Sequence, residues 1–295
     1  MAFEFGAATK VDETRLGQLG HAIRRTGRPV ALIVLGTDVH GGHLALLRAA
    51  SRLRGVVSVV ALRRAPDEEL TKMLASCGAD AVYVPAGAAE APGGAAAPGT
   101  AEATSVAATP AVPTRPRTLV VPEDHGLEPV EERAHELTRI VSLVGVSSAS
   151  DVFLGEKDFE LLIDVQHAVT DLHLGARVHG VPTVRMPDGL ALSLRNSRVP
   201  EEDRERAVAL SAALTAGAHV AEKGADAVVE IAGDVLAAAG VHPEYLELRS
   251  HLLGEAPVEG EARLLVAATF GGVRLIDNVG VPVGIGFRGL AERSG

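Results

Sequence analysis

The chain has 295 residues, 47% hydrophobic and 22% charged, enough to bury the core of one large domain or two modest ones and stay soluble. A formal net charge of −10 argues against a general nucleic-acid or membrane-surface binder, which needs a Lys/Arg stripe, while leaving room for a local basic pocket. The single cysteine, Cys77, excludes an internal disulfide and any cysteine-cluster metal site. Aromatic residues make up only 3%, so the core must be mostly Ala, Val and Leu. No basic-then-apolar leader opens the chain, and no apolar run approaches the roughly 18 residues of a membrane span. A soluble protein of the cytoplasm is expected.

In chain order, Leu16, Leu19 and Ile23 fall at helical spacing and predict a helix over 13–26, ended by Gly27-Arg28-Pro29. Residues 30–35 form a continuous apolar run of strand length, as expected for a strand covered on both faces. A turn over 36–42 leads into a helix over 43–54. A second buried strand over 56–62, a helix over 67–76 and a short strand over 81–84 follow. Residues 86–117 break the pattern. This Ala/Gly/Pro/Thr stretch has no hydrophobic period and reads as a flexible insertion or as a poorly packed loop. The alternation then resumes with a strand over 118–121, a helix over 129–143, a strand over 151–154, a helix over 158–172 and a strand over 176–181. Strands alternating with helices imply a parallel sheet with crossovers.

A second unit reads differently. A polar loop after Arg185 leads to a helix over 201–216 opened by Pro200, then to a helix over 225–239 ended by Gly240. Strands are expected over 245–248, 262–270 and 273–278, the last two joined by Gly271-Gly272, a good two-residue hairpin turn. The fold class predicted is α/β, with a parallel-sheet domain over 1–186 and a smaller α+β domain over 187–295.

Three short segments could carry chemistry. His40-Gly41-Gly42-His43 follows a buried strand and opens a helix, where backbone N–H groups and the helix dipole favour an anion. Two imidazoles beside glycines suit a nucleotide triphosphate. The bland alternative is a glycine-rich connection with two solvated histidines, and a metal pair lacks a third ligand nearby. Gly155-Glu156-Lys157-Asp158 also lies between a strand and a helix, with Asp158 placed as an N-cap and Lys157 as a point charge for phosphate. Read alone, this is a capped helix start with a solvated lysine. Ser193-Leu194-Arg195-Asn196 could bring a hydroxyl and a guanidinium to one phosphate chain, or could be an ordinary loop. Gly284-Ile285-Gly286-Phe287-Arg288-Gly289 matches a dinucleotide fingerprint but has no following helix, and reads as a disordered tail. There is no G-x-S-x-G elbow and no Walker A loop.

Taken together and in this order, these segments resemble the pantothenate synthetase (pantoate–β-alanine ligase) family. The resemblance runs from about Gly27 to Val60 and from Val152 to Asn278. It includes Phe153-Leu154-Gly155-Glu156-Lys157-Asp158, Val181-Pro182-Thr183-Val184-Arg185, Asp188-Gly189-Leu190-Ala191, Tyr245-Leu246-Glu247-Leu248-Arg249 and Arg274-Leu275-Ile276-Asp277-Asn278. It implies a Rossmann-like nucleotide-binding domain over 1–186 with a small C-terminal lid over 187–295, an AMP-forming, ATP-dependent acid–amine ligase using ATP with Mg2+, and a homodimer. Carried over by position, His40 and His43 face the triphosphate. Lys157, Ser193 and Arg195 neutralise phosphate charge. Gly42, Gly155, Asp158 and Val184 belong to the nucleotide pocket, with Asp158 near the ribose.

The departures from the family pattern lie on the acid side. Val34-Leu35-Gly36 replaces Pro-Thr-Met, and Gly41 replaces a Glu. The Asn-Pro-x-Gln-Phe and Tyr-Pro-Arg-Thr stretches have no counterpart after Val60-Ala61-Leu62, where Arg63-Arg64-Ala65-Pro66 follows. The family's second pantoate-contacting Gln falls on Leu161 and a Ser falls on Leu194, while His-Phe-x-Gly-Val has no match. Two lost amide partners, at about 1–3 kcal/mol each, would weaken acid binding by roughly 10²–10⁴-fold. An apolar acid site and low turnover of pantoate are therefore expected. The alternatives are a ligase for a different acid, or a catalytically impaired nucleotide-binding paralogue that acts as a regulatory or partner subunit of a true synthetase. A different nucleotidyltransferase ranks third, since the paired histidines are shared with that superfamily.

Overall fold

In the computed structural model, residues 3–85 and 116–285 are described. Strand β1 (Thr9–Val11) and helix α1 (Glu13–Arg25) open the chain, with the Asp12 side chain accepting the Arg15 N–H as N-cap. Next come β2 (Val30–Val34), α2 (Gly41–Ala50), β3 (Val57–Ala61), α3 (Glu68–Ser76) and β4 (Ala81–Tyr83). After the undescribed stretch come α4 (Val130–Ser147), β5 (Asp151–Gly155), α5 (Phe159–Asp171) and β6 (Arg177–Val181). These six strands form one parallel sheet in the order β1-β4-β3-β2-β5-β6.

β2 and β3 are buried at every position, which is why their sequences run apolar without alternation. Successive side chains still serve opposite faces. Val30, Leu32 and Val34 join the core under α1 and α4, whereas Ala31 and Ile33 join the core under α2 and α3. From β2, the chain builds outward to β3 and β4 on one side and to β5 and β6 on the other. The crevice between the C-terminal ends of β2 and β5 is therefore a topological switch point, where ligands of open α/β sheets bind.

The second unit packs α6 (Glu201–His219) and α7 (Ala225–Ala238) against an antiparallel sheet of β7 (Tyr245–Ser250), β8 (Gly260–Phe270) and β9 (Val273–Val283), in that order. Gly271 and Gly272 take φ of +53° and +79°, as a two-residue hairpin with both central residues left-handed requires. The two units are tied together by charge. Arg185 makes a bidentate pair with Asp277, at 2.6 and 3.1 Å. Arg274 makes another with Glu128, at 2.6 and 2.9 Å, and Arg263 meets Glu156 at 2.9 Å.

Three elements differ from the sequence expectation. No strand forms over 118–121. There the Val120 N–H donates to the Thr138 hydroxyl of α4, and Leu119 and Val121 stay exposed. The sheet edge beside β4 is taken by β1, whose three residues are too few to show any period and of which only Val11 is buried. α2 starts two residues earlier than expected, which makes His40 its cap. Of the insertion read over 86–117, only the last two residues are described, and the tail from 286 onward also lies outside the described residues.

Candidate active site

The crevice is built from three chain segments. The first follows β2. His40 sits in extended backbone as the N-cap of α2, and its Nδ1 accepts the Gly42 N–H at 3.1 Å. His43, one turn in, returns its own Nδ1 to the His40 N–H at 3.3 Å. The two rings stack with centroids 3.8 Å apart. This is a capping box made of imidazoles rather than a hydroxyl and a carboxylate. Both Nδ1 atoms accept, so both ring protons must reside on Nε2, leaving two N–H donors for an anion. Burial, with the neighbouring His40 next in weight, pushes the His43 pKa down to about 4. Burial and the Lys157 charge hold His40 low as well. Gly42 is required here, because a Cβ would stand 2.9 Å from Cε1 and 3.0 Å from Nδ1 of His40.

The second segment follows β5. Gly155 leads into a 3-10 turn, Glu156–Asp158, that precedes α5. Lys157 Nζ lies 3.4 Å from the Asp158 carboxylate. The Lys157 ammonium, opposed by burial and reinforced by Arg195, holds the Asp158 carboxyl below the usual range. Asp158 does occupy the N-cap position of α5, but its side chain caps nothing. The carboxylate is drawn to Lys157 instead, which corrects the capping role expected from sequence. The turn is held from behind by Asn278 and Arg263 of the C-terminal sheet.

The third segment is the loop after β6. It folds back on itself through an Arg185–Ala191 bridge, with Gly189 at φ +93°. Ser193 Oγ accepts the Arg195 N–H at 3.2 Å and so opens a 3-10 turn, Leu194–Arg198. Arg195 Nη1 donates to the Arg274 carbonyl at 3.4 Å. His40, Gly42, His43, Gly155, Lys157, Asp158, Val184, Ser193 and Arg195 all line one cavity of about 410 Å³. Residues from three distant parts of the sequence thus converge at the switch point.

A second cavity of about 510 Å³ adjoins the first, sharing Arg63, Glu136, Lys157, Asp158, Leu161 and Arg195 with it. Its far wall contains a buried polar cluster. Arg133 pairs with Asp164 at 2.7 Å and with Glu160 at 3.3 Å, and Tyr245 Oη donates to Glu128 at 2.8 Å. Burial, partly offset by Arg133, pushes the Glu160 pKa up to about 7.

Sequence reasoning missed the groups at the junction of the two cavities. Arg63 is paired with Glu136, and Glu136 also accepts from Arg139 at 2.9 Å. Leu161 lines the same cavity as this ion pair. The available signal was Arg63-Arg64 directly after a strand's C-terminal end, with Glu136 and Arg139 one helical turn apart. Among the described residues, no group of three or more His, Cys, Asp or Glu could hold a metal ion, and no helix is long and apolar enough to cross a membrane.

A family profile described as pantoate-beta-alanine ligase matches residues 8–280. The pantothenate synthetase of Corynebacterium jeikeium (strain K411) is 42% identical over 99% of this chain and 96% of its own length. That of Nocardia farcinica (strain IFM 10152) is 40% identical over 92% and 86%. Among solved structures, pantothenate synthetase from Thermus thermophilus superposes with a TM-score of 0.71 at 25% identity, covering 92% of this chain and 98% of its own. The ligase from Francisella tularensis, solved in complex with beta-gamma ATP and beta-alanine, shares the fold at a TM-score of 0.62 and 18% identity, covering 92% and 97%.

Proposed function

The chain belongs to the pantoate-β-alanine ligase family, and we propose that it joins pantoate to β-alanine through an acyl adenylate. In the first step, a carboxylate oxygen of the acid attacks the α-phosphorus of ATP, and the bond to the β-phosphate oxygen breaks to release pyrophosphate. In the second, the β-alanine amine attacks the acyl carbon, AMP leaves with the electron pair of the C–O bond, and the amine loses a proton. Charge accumulates on non-bridging phosphate oxygens in the first step, so the protein has mainly to position and neutralise.

The observation that carries this reading is the convergence of nine residues on one cavity at the switch point. The Nε2–H groups of His40 and His43, with the N-terminal end of α2, donate to the triphosphate. Lys157, Ser193 and Arg195 meet the charge that develops on pyrophosphate. Gly42 and Gly155 let phosphate approach the backbone, Val184 lines the base side, and the ionised Asp158 accepts from a ribose hydroxyl. Mg2+ brought by ATP would be held mainly by the phosphates, with at most one or two carboxylates from the protein. Of the carboxylates lining the cavity, Asp158 lies beside Lys157 and could serve as one such ligand. Residues 1–186 act as the nucleotide domain and 187–295 as its lid, in a cytoplasmic homodimer.

ATP–pyrophosphate exchange, with and without pantoate and with a Lys157→Ala control, tests the proposal. Exchange that needs pantoate and disappears in the control supports it. Exchange that ignores pantoate, or survives in the control, overturns the assigned roles. A second reading, in which the chain acts on another acid or as a nucleotide-binding subunit of a true synthetase, is favoured by Leu161 and Leu194, apolar side chains on the cavity wall. Co-purification with a synthetase at fixed ratio, together with ATP binding but no exchange, would support the subunit reading.

A further inference from the structure

Val34, Ile140, Leu154 and Leu161 give the first cavity an apolar patch, and Leu161 and the Arg63–Glu136 pair also line the second. That pair is a built feature. The Arg63 N–H donates to the Gly36 carbonyl at 3.2 Å, which ties the end of β3 to the segment after β2. Glu136 is held from below by Arg139, whose Nη2 donates to the Leu35 and Ala61 carbonyls at 3.0 and 3.3 Å. The Arg63 side chain remains 49% exposed and that of Glu136 24%. The Arg63 guanidinium bonds Glu136 through Nη2, and Arg63 lines both cavities.

An apolar patch beside one fixed donor–acceptor pair complements a small branched aliphatic acid that carries a hydroxyl. We propose that Arg63 and Glu136 determine acid specificity, with Glu136 accepting from a hydroxyl of the acid and Arg63 donating to its oxygens at the entrance to the nucleotide cavity. An amide supplies one donor and one acceptor, and the ion pair supplies the same two functions. The cluster of two guanidinium groups and one carboxylate also carries a net positive charge, which favours an anionic substrate. Arg139 acts as a positioning residue, fixing Glu136 without facing the substrate. The inference rests on the ligase reading and names the substrate class that this reading requires.

The test compares pantoate with a branched acid of the same carbon skeleton lacking hydroxyls, in wild type, Glu136→Gln and Arg63→Met. Wild type should discriminate by at least about 100-fold in kcat/KM, since a site built to bond a hydroxyl rejects the analogue lacking it. Each variant should raise KM for pantoate by roughly 10-fold or more while KM for ATP stays constant, and discrimination should collapse in both. Exchange with unchanged acid KM and discrimination in the folded variants would overturn the proposal. If wild type shows no exchange, calorimetric binding of pantoate with a non-hydrolysable ATP analogue decides separately. Binding lost in both variants sustains the specificity role while the ligase reading fails, and no binding to wild type overturns the specificity role too.

Discussion

Asn278, on the last strand of the C-terminal sheet, donates its side-chain amide to the main-chain carbonyl of Lys157 at 2.9 Å, and to that of Glu156 at the same distance. The residue before it, Asp277, holds Arg185 of the loop after β6 by two bonds. Adjacent residues of one strand therefore fix two of the three segments that meet at the candidate site. Asn278→Ala should free the Lys157 turn. Because a displacement of about 1 Å can cost 10²-fold in rate, kcat for exchange should fall by roughly 10–100-fold. Two lost bonds to half-buried carbonyls also predict a Tm lower by a few degrees. An unchanged kcat would show that Asn278 does not position Lys157.

The reciprocal bonds of His40 and His43 make a prediction visible without substrate. Nitrogen NMR of the imidazoles should show unprotonated Nδ1 on both rings at pH 8, with His40 titrating below its ordinary range and His43 near pH 4. The folded pKa lies below the unfolded value near 6.5, so the unfolded state binds the extra proton. Stability from this group is lost as pH falls from 6.5 toward 4. Gly42→Ala should turn the His40 ring out of its capping position, costing about 1 kcal/mol of stability and weakening ATP binding more than acid binding. An NMR titration of His43 near pH 6.5 would contradict the buried geometry.

Glu160 predicts the opposite pH trend. The unfolded chain gives up this proton near pH 4.5, whereas the folded chain keeps it until about pH 7. Stability therefore falls as pH rises through that window and levels off above it, by about 3 kcal/mol for a shift of this size. Burial drives Asp164 in the same direction. Urea unfolding at pH 5 and pH 8 should show wild type losing more stability over this interval than Glu160→Gln, in which Arg133 keeps its bond to Asp164. Equal losses in both proteins would mean that Glu160 is already ionised when folded.

Much of this protein was legible in the chain itself. The apolar runs of β2 and β3, the helical spacing of Leu16 and Ile23, and the Gly271-Gly272 turn are local signals, set by what a backbone and its nearest neighbours can do. The strand-to-helix turns at His40 and Lys157 were legible for the same reason. Tertiary structure decided the rest, because those features depend on groups far apart in sequence. β1 is a strand only because β4 offers an edge, and 118–121 is not one because Thr138 takes its N–H. Asp158 faces Lys157 rather than capping α5, and Glu160 holds its proton only because α4 and α5 bury it. The Arg63–Glu136 pair spans 73 residues of sequence, so it needed the packing of α4 over the end of β3 to bring one charge to the other.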